Sequence, residues 1–215
     1  IAFSGDRYGN YDIWRVELPT RDVLRLTRKE RYEVFPTWTP DGGTILYVEL
    51  NESWTGHDVH AMSADGRNSR LVVRDEDFFD YRAGGTFGDP TVSPDGSKVL
   101  FRSHRSGWIN YWTVPIAGGE PTPIAPESAD QSHARWSPDG RSIVYVSNHN
   151  GTHEIRVVAA TGGESRVLVE PDLGVAASPE WSPDGKKVSY TFGTLKTPRD
   201  LFVVDVETGM TKRLT

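Results

Sequence analysis

The tripeptide Pro-Asp-Gly occurs four times at nearly regular spacing, and this repetition constrains the fold of the chain more than any other feature. The aspartates are Asp41, Asp95, Asp139 and Asp184, at intervals of 54, 44 and 45 residues, and each copy follows a threonine or serine. Proline presets the backbone at the second turn position, aspartate bonds a following amide, and glycine tolerates the left-handed exit. Each copy therefore predicts a tight turn between two strands.

The segments between these turns repeat as well. A β-branched residue stands four positions after each aspartate and an aromatic residue two positions later, in the pairs Ile45/Tyr47, Val99/Phe101, Ile143/Tyr145 and Val188/Tyr190. This alternation predicts a half-buried strand. A second strand opens on a polar residue that we expect to bond loop amides, as at Asp12, Asp58 and Asp200. A glycine-containing turn precedes a third strand, and a short fourth strand runs into the next turn.

Four strands per unit with a period near 45 residues are typical of β-propeller blades, so we predict an all-β fold of four-stranded antiparallel blades. If the strands are lettered A to D, with A ending at Trp38 and its equivalents, the chain holds five copies of B, C and D but four of A. The prediction is one β-propeller domain over 1–215 with five visible repeats, the first lacking its inner strand, at about 1–32, 33–87, 88–131, 132–176 and 177–215. Because Ile1 and Phe3 have the phase of a core strand, we expect the chain to be excised from a longer one.

Composition narrows the classes of function. The chain has no cysteine, which excludes disulfides, a thiol nucleophile and cysteine-ligated metal sites. It has 30 acidic and 24 basic residues and a formal net charge of −6. Nucleic acid is therefore not an expected partner, since its backbone requires clustered Lys and Arg. No apolar run approaches the roughly 18 residues of a membrane-spanning helix.

The repeat resembles a known family. Trp-Ser-Pro-Asp-Gly at 136–140, followed by the Ile143/Tyr145 strand and by Gly162-Gly163 before Leu168, is similar to the TolB-type propeller repeat, also called WD40-like or PD40. The resemblance covers all 215 residues. It implies a β-propeller of the kind found in periplasmic binding proteins, sensors and the non-catalytic halves of enzymes. A periplasmic or exported location is the expectation that follows, with a cytoplasmic one left open.

Two segments resemble a second family, the propellers of prolyl-oligopeptidase-type serine peptidases. These segments are 106–121, which begins Ser-Gly-Trp-Ile-Asn-Tyr-Trp, and 197–215, which begins Thr-Pro-Arg-Asp-Leu-Phe. In that family such a closing blade precedes an α/β-hydrolase domain. The chain departs from the pattern in two ways. Those propellers usually have seven or more blades, whereas five repeats are visible here, and the chain contains no Gly-x-Ser-x-Gly elbow.

Strand order assigns the loops to two ends of the blades. The A–B and C–D turns lie at one end and are short, whereas the B–C and D–A loops lie at the other and vary, which is typical of binding loops on a constant scaffold. The D–A segment from Arg74 to Arg82 is rich in carboxylates and aromatics and could receive a basic peptide or a cation; the alternative is a solvated loop whose phenylalanines pack back onto the blade. The candidate binding residues in these loops are Trp54, Asp75, Glu76, Asp77, Phe78, Phe79 and Tyr81.

Histidines accumulate at the same end. His57, His104, His149 and His153 lie in or beside B–C loops, and His133 lies at the start of an A strand. Imidazole can ligate a metal or exchange a proton near neutral pH. Gln131-Ser132-His133 resembles the metal-ligand stretch of oligogalacturonate lyases, but the other A strands supply no further histidine, so we predict no metal site. Of the five, His57, His104, His133 and His149 complete the set of candidate binding residues.

Three functional hypotheses follow. The first is a non-catalytic TolB-like propeller that binds a protein or peptide through the B–C/D–A face. The second is the gating propeller of a prolyl-oligopeptidase-type serine peptidase whose hydrolase domain is absent from this chain. The third is a metal-dependent, oligogalacturonate-lyase-like propeller. No catalytic residue, cofactor, nucleic acid partner or membrane span is predicted, and the oligomeric state is left open.

Overall fold

The computed structural model of the chain describes residues 1–50, 56–75, 90–149 and 151–215. Regular structure in these residues is entirely β, and they contain no helix long and apolar enough to cross a membrane. The chain divides into two compact units, Ile1–Arg105 with Thr113–Pro121 and Ser106–Trp112 with Thr122–Thr215. The single domain and the repeat boundaries stay predictions.

Each repeat forms an antiparallel arrangement in which strands pair in chain order. The first contributes β1 (Ala2–Gly5), β2 (Asp12–Val16) and β3 (Val23–Arg25). The second contributes β4 (Glu33–Trp38), β5 (Thr44–Leu50), β6 (His57–Ser63) and β7 (Arg70–Asp75). The third contributes β8 (Thr91–Val92), β9 (Lys98–Ser103), β10 (Asn110–Pro115) and β11 (Thr122–Pro123). The fourth contributes β12 (Asp130–Trp136), β13 (Ser142–His149), β14 (Thr152–Ala159) and β15 (Arg166–Val169). The fifth contributes β16 (Val175–Trp181), β17 (Lys187–Gly193), β18 (Asp200–Asp205) and β19 (Thr211–Arg213).

The Pro-Asp-Gly segments form the predicted tight turns between β4 and β5 and between the equivalent strands. Gly42 has a φ of +69°, in the left-handed region that favours glycine. The Thr39 hydroxyl donates to Asp41 Oδ1 at 2.6 Å, and the Gly43 amide donates to the same oxygen at 3.0 Å. Hydrogen bonds of this kind, from Ser93 and Ser97, lower the pKa of Asp95 to about 2. The turn prediction is confirmed.

Within the described residues, the acidic residues that open the second strand of three repeats pair with arginines, while the equivalent Asn110 accepts a hydrogen bond from the Glu127 amide of a loop at 3.4 Å, as the sequence predicts. Asp12 Oδ2 lies 2.7 Å from Arg25 Nη2, and Asp200 Oδ2 lies 2.6 Å from Arg213 Nη2. Asp58 Oδ2 lies 3.5 Å from Arg74 Nε. The arginine stands on the next strand in each case, so the ion pair ties the two strands together at the B–C/D–A end.

The β-branched and aromatic pairs form the core between neighbouring sheets. In the first unit Ile45 and Tyr47 are fully buried and pack with Ile13 of the preceding repeat. Ile1 and Phe3, which the sequence assigns to the core in the same phase, are 62% and 38% exposed. That assignment is wrong in this structure because Ala2, on the opposite face of β1, is the residue that packs against the core.

Three strands that end in tryptophan share a bulge at one position. The register of β4, β12 and β16 shifts after Val34, Ser132 and Ala177 respectively. The next residue in each strand is a non-glycine residue with a φ of 52° to 54°, namely Phe35, His133 and Ser178. Such values cost on the order of 1–3 kcal/mol and require support from the surroundings. A side chain of the preceding repeat supplies this support in two cases: the Phe35 amide donates to Ser4 Oγ, and the Ala134 amide donates to Tyr111 Oη.

The fourth and fifth repeats share one continuous sheet. His153 of β14 pairs with Val175 of β16, and this bridge is parallel, whereas the pairings within the two repeats are antiparallel. The bridge lies at the B–C/D–A end, where β14 begins and β16 begins. The backbone of the two repeats is therefore joined by hydrogen bonds as well as by side-chain packing.

Candidate functional site

The register of the second sheet aligns four charged residues at the B–C/D–A end. Glu33 pairs with Glu49, Glu49 with Asp58, and Asp58 with Arg74. Directly paired residues point to the same face of a sheet, so β4, β5, β6 and β7 each contribute one charge to a single row. Three neighbouring carboxylates repel one another, and the row can exist only if cations or protons balance them.

Cations from the first repeat balance Glu49. Lys29 Nζ donates a hydrogen bond to Glu49 Oε2, and Arg31 Nη1 lies 3.2 Å from Glu49 Oε1. Burial raises the pKa of Glu49, but the hydrogen bond and charge of Lys29, followed by the charges of His60 and Arg31, outweigh burial and leave that pKa below its usual value. Glu49 is therefore a fixed carboxylate at neutral pH.

Glu33 is the least compensated group of the row. Its side chain is fully buried, and among the described residues neither carboxylate oxygen makes a hydrogen bond of good geometry. The nearest cation, Lys29 Nζ, is 3.9 Å away. Burial, together with the charges of Glu49 and Asp12, raises the pKa of Glu33 to about 7, although the Thr27 hydroxyl and Lys29 act in the opposite direction. Glu33 thus holds a proton over much of the range below neutral pH.

The opposite face of the same strands carries His57 and Asp75, which are paired across β6 and β7. Asp75 is nearly fully buried, and its Oδ1 accepts hydrogen bonds from Ser103 Oγ at 3.1 Å and Arg105 Nη2 at 3.3 Å. His57 Nε2 lies 3.9 Å from Asp75 Oδ2. Burial lowers the pKa of His57 more than Asp75 and Asp58 raise it, so the imidazole is neutral at pH 7.

Several of these groups line a cavity of about 330 Å³, which we call the charged pocket. It is lined by Arg31, Glu49, Gly56, His57, Asp58, Arg74 and Asp75. Arg31 and Arg74 are 44% and 58% exposed in their side chains, whereas Glu49 and Asp75 are buried. The carboxylates are therefore held in place by the protein, and the guanidinium groups remain accessible at the rim. Such a lining can bind a ligand that carries both a cation and a hydrogen-bond acceptor.

The structure brings two of the predicted binding residues together, His57 and Asp75, in the charged pocket. Trp54, Glu76, Asp77, Phe78, Phe79 and Tyr81 lie outside the described residues. Asp75 is not the solvated loop carboxylate that the sequence suggests. It is buried, and it accepts hydrogen bonds from Ser103 and Arg105, which belong to the next repeat. That the predicted residues bind a ligand stays a prediction.

The remaining predicted histidines are placed separately. His104 follows β9 and is half-buried. His149 Nε2 lies 3.0 Å from Glu127 Oε2 in the second unit. His133 is exposed at the bulge of β12, where its Nδ1 lies 3.1 Å from Ser132 Oγ. Within the described ranges, no three or more His, Asp or Glu side chains are grouped so that they could hold a metal ion.

Sequence reasoning missed Glu33, Glu49, Arg31 and Lys29. A signal for Glu49 was present: it stands two residues after Tyr47, where the other repeats have Ser103, Ser147 and Phe192. Glu33 likewise stands five residues before Trp38, where later repeats have Gln131 and Ala176. An ionisable residue at a repeat position that is otherwise neutral could have identified both.

Comparisons with known proteins agree with this architecture. Residues 93–150 match the family described as the dipeptidyl peptidase IV (DPP IV) N-terminal region. The uncharacterized peptidase YuxL of Bacillus subtilis is 30% identical over 179 residues, covering 66% of this chain and 26% of that protein. The chain spans 40% or less of the length of the curated relatives that it matches.

Solved structures show the same fold at low sequence identity. TolB from Acinetobacter baumannii has a TM-score of 0.71 at 20% identity, covering 100% of this chain and 52% of that one. A puromycin-hydrolyzing peptidase from Mycobacterium tuberculosis has a TM-score of 0.74 at 19% identity, covering 95% of this chain and 32% of that one. The chain therefore has an all-β fold of the β-propeller type, similar both to TolB and to peptidase propellers.

Proposed function

We propose that this chain is a non-catalytic module that binds peptide through the charged pocket. The observation that carries the proposal is the lining of this pocket, where buried carboxylates and accessible guanidinium groups lie side by side. A peptide offers both complements, since its lysine or arginine side chains suit carboxylates and its carbonyls or acidic side chains suit arginines.

The position of the pocket supports binding. It lies where β5 ends and β6 begins and where β7 ends, among the loops that differ most between repeats. The carboxylates of Glu49 and Asp75 are already oriented by bonds to Lys29, Ser103 and Arg105, so little side-chain entropy is lost when a ligand binds. The rim arginines then determine which peptides are retained.

A direct binding measurement tests this proposal. The probe is a fluorescein-labelled hexapeptide with one lysine and one glutamate, compared with a version in which both are alanine. We expect the mixed-charge peptide to bind, and Arg31→Gln or Asp58→Asn to weaken its affinity by about fivefold to tenfold, the loss expected for one charge-assisted contact. Arg135→Gln, which removes an ion pair with Glu180 elsewhere on the chain, is the matched control. Equal affinity of the variants and the unchanged protein would contradict the proposal.

A second candidate function is the gating propeller of a prolyl-oligopeptidase-type serine peptidase. The match of residues 93–150 to the dipeptidyl peptidase IV N-terminal region and the likeness to YuxL favour it. In this role the charged pocket selects peptides for a nucleophile that a separate domain supplies, because the sequence contains no Gly-x-Ser-x-Gly elbow.

The product of the whole gene distinguishes this candidate from a stand-alone binding module. We expect it to react with a fluorophosphonate probe and to hydrolyse an aminoacyl p-nitroanilide. Arg31→Gln in that product should raise KM for charged peptides and leave kcat unchanged, as expected for a binding contact remote from the reacting atoms. A whole-gene product that fails to react with the probe would exclude this role and leave the binding module unaffected.

A further inference from the structure

A second cavity, of about 600 Å³, lies in the other compact unit at the B–C/D–A end of the fourth and fifth repeats. Its walls are the loop between β15 and β16, which contains Leu173 and Gly174, and the loop between β17 and β18, which contains Leu195, Lys196 and Arg199. We call it the apolar pocket. Its volume falls in the range of about 300–1,000 Å³ that is usual for ligand sites.

Two exposed leucines make the lining of this cavity apolar. Leu173 is 81% exposed and Leu195 is fully exposed, the two most exposed leucines among the described residues, and both line this cavity. Isolated exposed leucines are common, but two on facing loops around one cavity form an apolar patch of the kind that marks a binding surface. Val175, at the start of β16, also lines the cavity.

The loop that contains Gly174 and the loop that contains Arg199 each pack closely against the end of β17, so the walls of the apolar pocket are held in place. Gly174 has a φ of +129°, and a Cβ at this position would lie 2.5 Å from the carbonyl oxygen of Gly193 and 2.7 Å from the Phe192 ring. A Cβ on Gly193 would lie 2.8 Å from Arg199 Cγ. The absence of a Cβ at Gly193 lets the Arg199 stem lie directly on the backbone, which restricts where its guanidinium group can go.

Lys196 and Arg199 are the two charged residues that line the apolar pocket. In the part of the chain that the structure describes, neither forms an ion pair with a carboxylate, although the chain as a whole carries a net charge of −6. The acid next to Arg199 in sequence, Asp200, is engaged by Arg213. Burial lowers the pKa of His153 at the edge of this region, and the charge of Arg199 lowers it further. Two cations without a described counter-charge favour an anionic ligand.

We propose that the apolar pocket binds the C-terminal residue of a peptide whose last side chain is aliphatic. The α-carboxylate meets Lys196 and Arg199, and the side chain fills the space between Leu173 and Leu195. In a C-terminal residue the carboxylate and the side chain are attached to the same carbon, so they lie close together. The cations and the leucines likewise line one cavity, so such a residue can contact both. This site is distinct from the charged pocket and does not depend on it.

The test compares two tripeptides that differ only at the terminus. Acetyl-Ala-Ala-Leu with a free carboxylate and the same peptide as its amide are titrated into the 215-residue chain, followed by calorimetry and by NMR of the histidine imidazoles. We expect the acid to bind about tenfold more tightly than the amide or better, the difference expected for one charge-assisted contact. We also expect the bound carboxylate to raise the pKa of His153, because it offsets the charge of Arg199.

Three variants sharpen the result. Arg199→Gln should reduce the preference for the acid severalfold, since Lys196 remains, and Leu195→Ser should weaken the binding of both peptides together. Lys212→Gln, which removes an exposed cation on β19, should change nothing and serves as the control. Equal affinity for acid and amide overturns the proposal, as does an unchanged His153 pKa at saturating peptide. Tight binding of decanoate without binding of the tripeptide also overturns it and identifies a lipid-like anion as the ligand instead.

Discussion

Glu33 and Gln131 occupy the same position in two repeats, five residues before a tryptophan, and make the same backbone bond. The Glu33 amide donates to the Tyr11 carbonyl at 2.8 Å, and the Gln131 amide donates to the Ile109 carbonyl at 2.7 Å. Their side chains differ in the hydrogen bonds that they form. Gln131 accepts from the Tyr111 amide and donates to Ala125 and Glu127, whereas no described hydrogen bond of good geometry reaches the carboxylate of Glu33.

This difference predicts that stability falls as Glu33 loses its proton. Its folded-state pKa, about 7, lies above the ordinary value of 4.5, so the folded chain holds a proton that the unfolded chain releases. The contribution is fully present below about pH 4.5 and is lost as pH rises through about 7, a change of about 3 kcal/mol. We expect Glu33→Gln to remove this pH dependence and to be more stable than the unchanged chain at about pH 8, by about 1–3 kcal/mol, since an amide is neutral at both pH values.

Urea unfolding at about pH 5 and about pH 8 measures this effect. The reciprocal change, Gln131→Glu, should destabilise the protein at the higher pH because it places a buried carboxylate beside Glu127. A pH profile of Glu33→Gln parallel to that of the unchanged chain would contradict the interpretation.

Asp75 is expected to contribute mainly to stability. Asp75→Ala removes the acceptor for Ser103 and Arg105, so it leaves a partly buried guanidinium without its carboxylate. The cost should be about 3 kcal/mol in the free energy of unfolding. Glu180→Ala, which breaks an exposed ion pair with Arg135, should cost less than about 1 kcal/mol. Thermal unfolding compares the two, and a loss for Asp75→Ala as small as that of the control would show that the buried bonds are not important.

The contact between Gly174 and the end of β17 beside the apolar pocket can be tested through glycine substitutions. Gly174→Ala should cost at least about 3 kcal/mol, since its Cβ would meet the backbone of Gly193 and the residue would remain in a left-handed region. Gly151 also has a positive φ, of +89°, but a Cβ there meets nothing within 4 Å. Gly151→Ala should therefore cost only about 1 kcal/mol. Equal losses would contradict the close approach of Gly174 to the end of β17.

Arg21 adopts the conformation that glycine adopts in the corresponding turns of later repeats. Its φ is +61°, comparable with +71° at Gly209 and +85° at Gly66. Arg21→Gly should stabilise the protein by about 0.5–1 kcal/mol, because relief of the left-handed strain exceeds the added chain entropy of glycine. Asp22→Gly, at a neighbouring position without a positive φ, is the control and should destabilise. Chemical denaturation of both variants measures the difference.

The sequence predicts the turns and strands well because those features are local. A Pro-Asp-Gly turn and the Ile45/Tyr47 alternation are each contained in a few residues, and the structure confirms both. The exposed faces of Ile1 and Phe3 were not predictable, because exposure depends on whether another sheet packs there.

The charged pocket was predictable only in part, for a related reason. His57 and Asp75 lie next to long loops, a feature visible in the sequence. Glu49 and Asp58 come from strands whose mutual register decides whether their carboxylates meet, and register is a long-range property. Ion pairs such as Asp12 with Arg25 were missed because both residues look like ordinary surface charges until the strands are paired.

The parallel bridge between His153 and Val175 has a consequence for how the second unit opens. Repeats held together only by side chains can detach one at a time, whereas a shared backbone ladder links their opening. Amide protons of β14 and β16 should therefore exchange with solvent at similar rates, as members of one cooperative unit. A ligand that binds the loops beside this bridge would slow amide hydrogen exchange in both repeats at once.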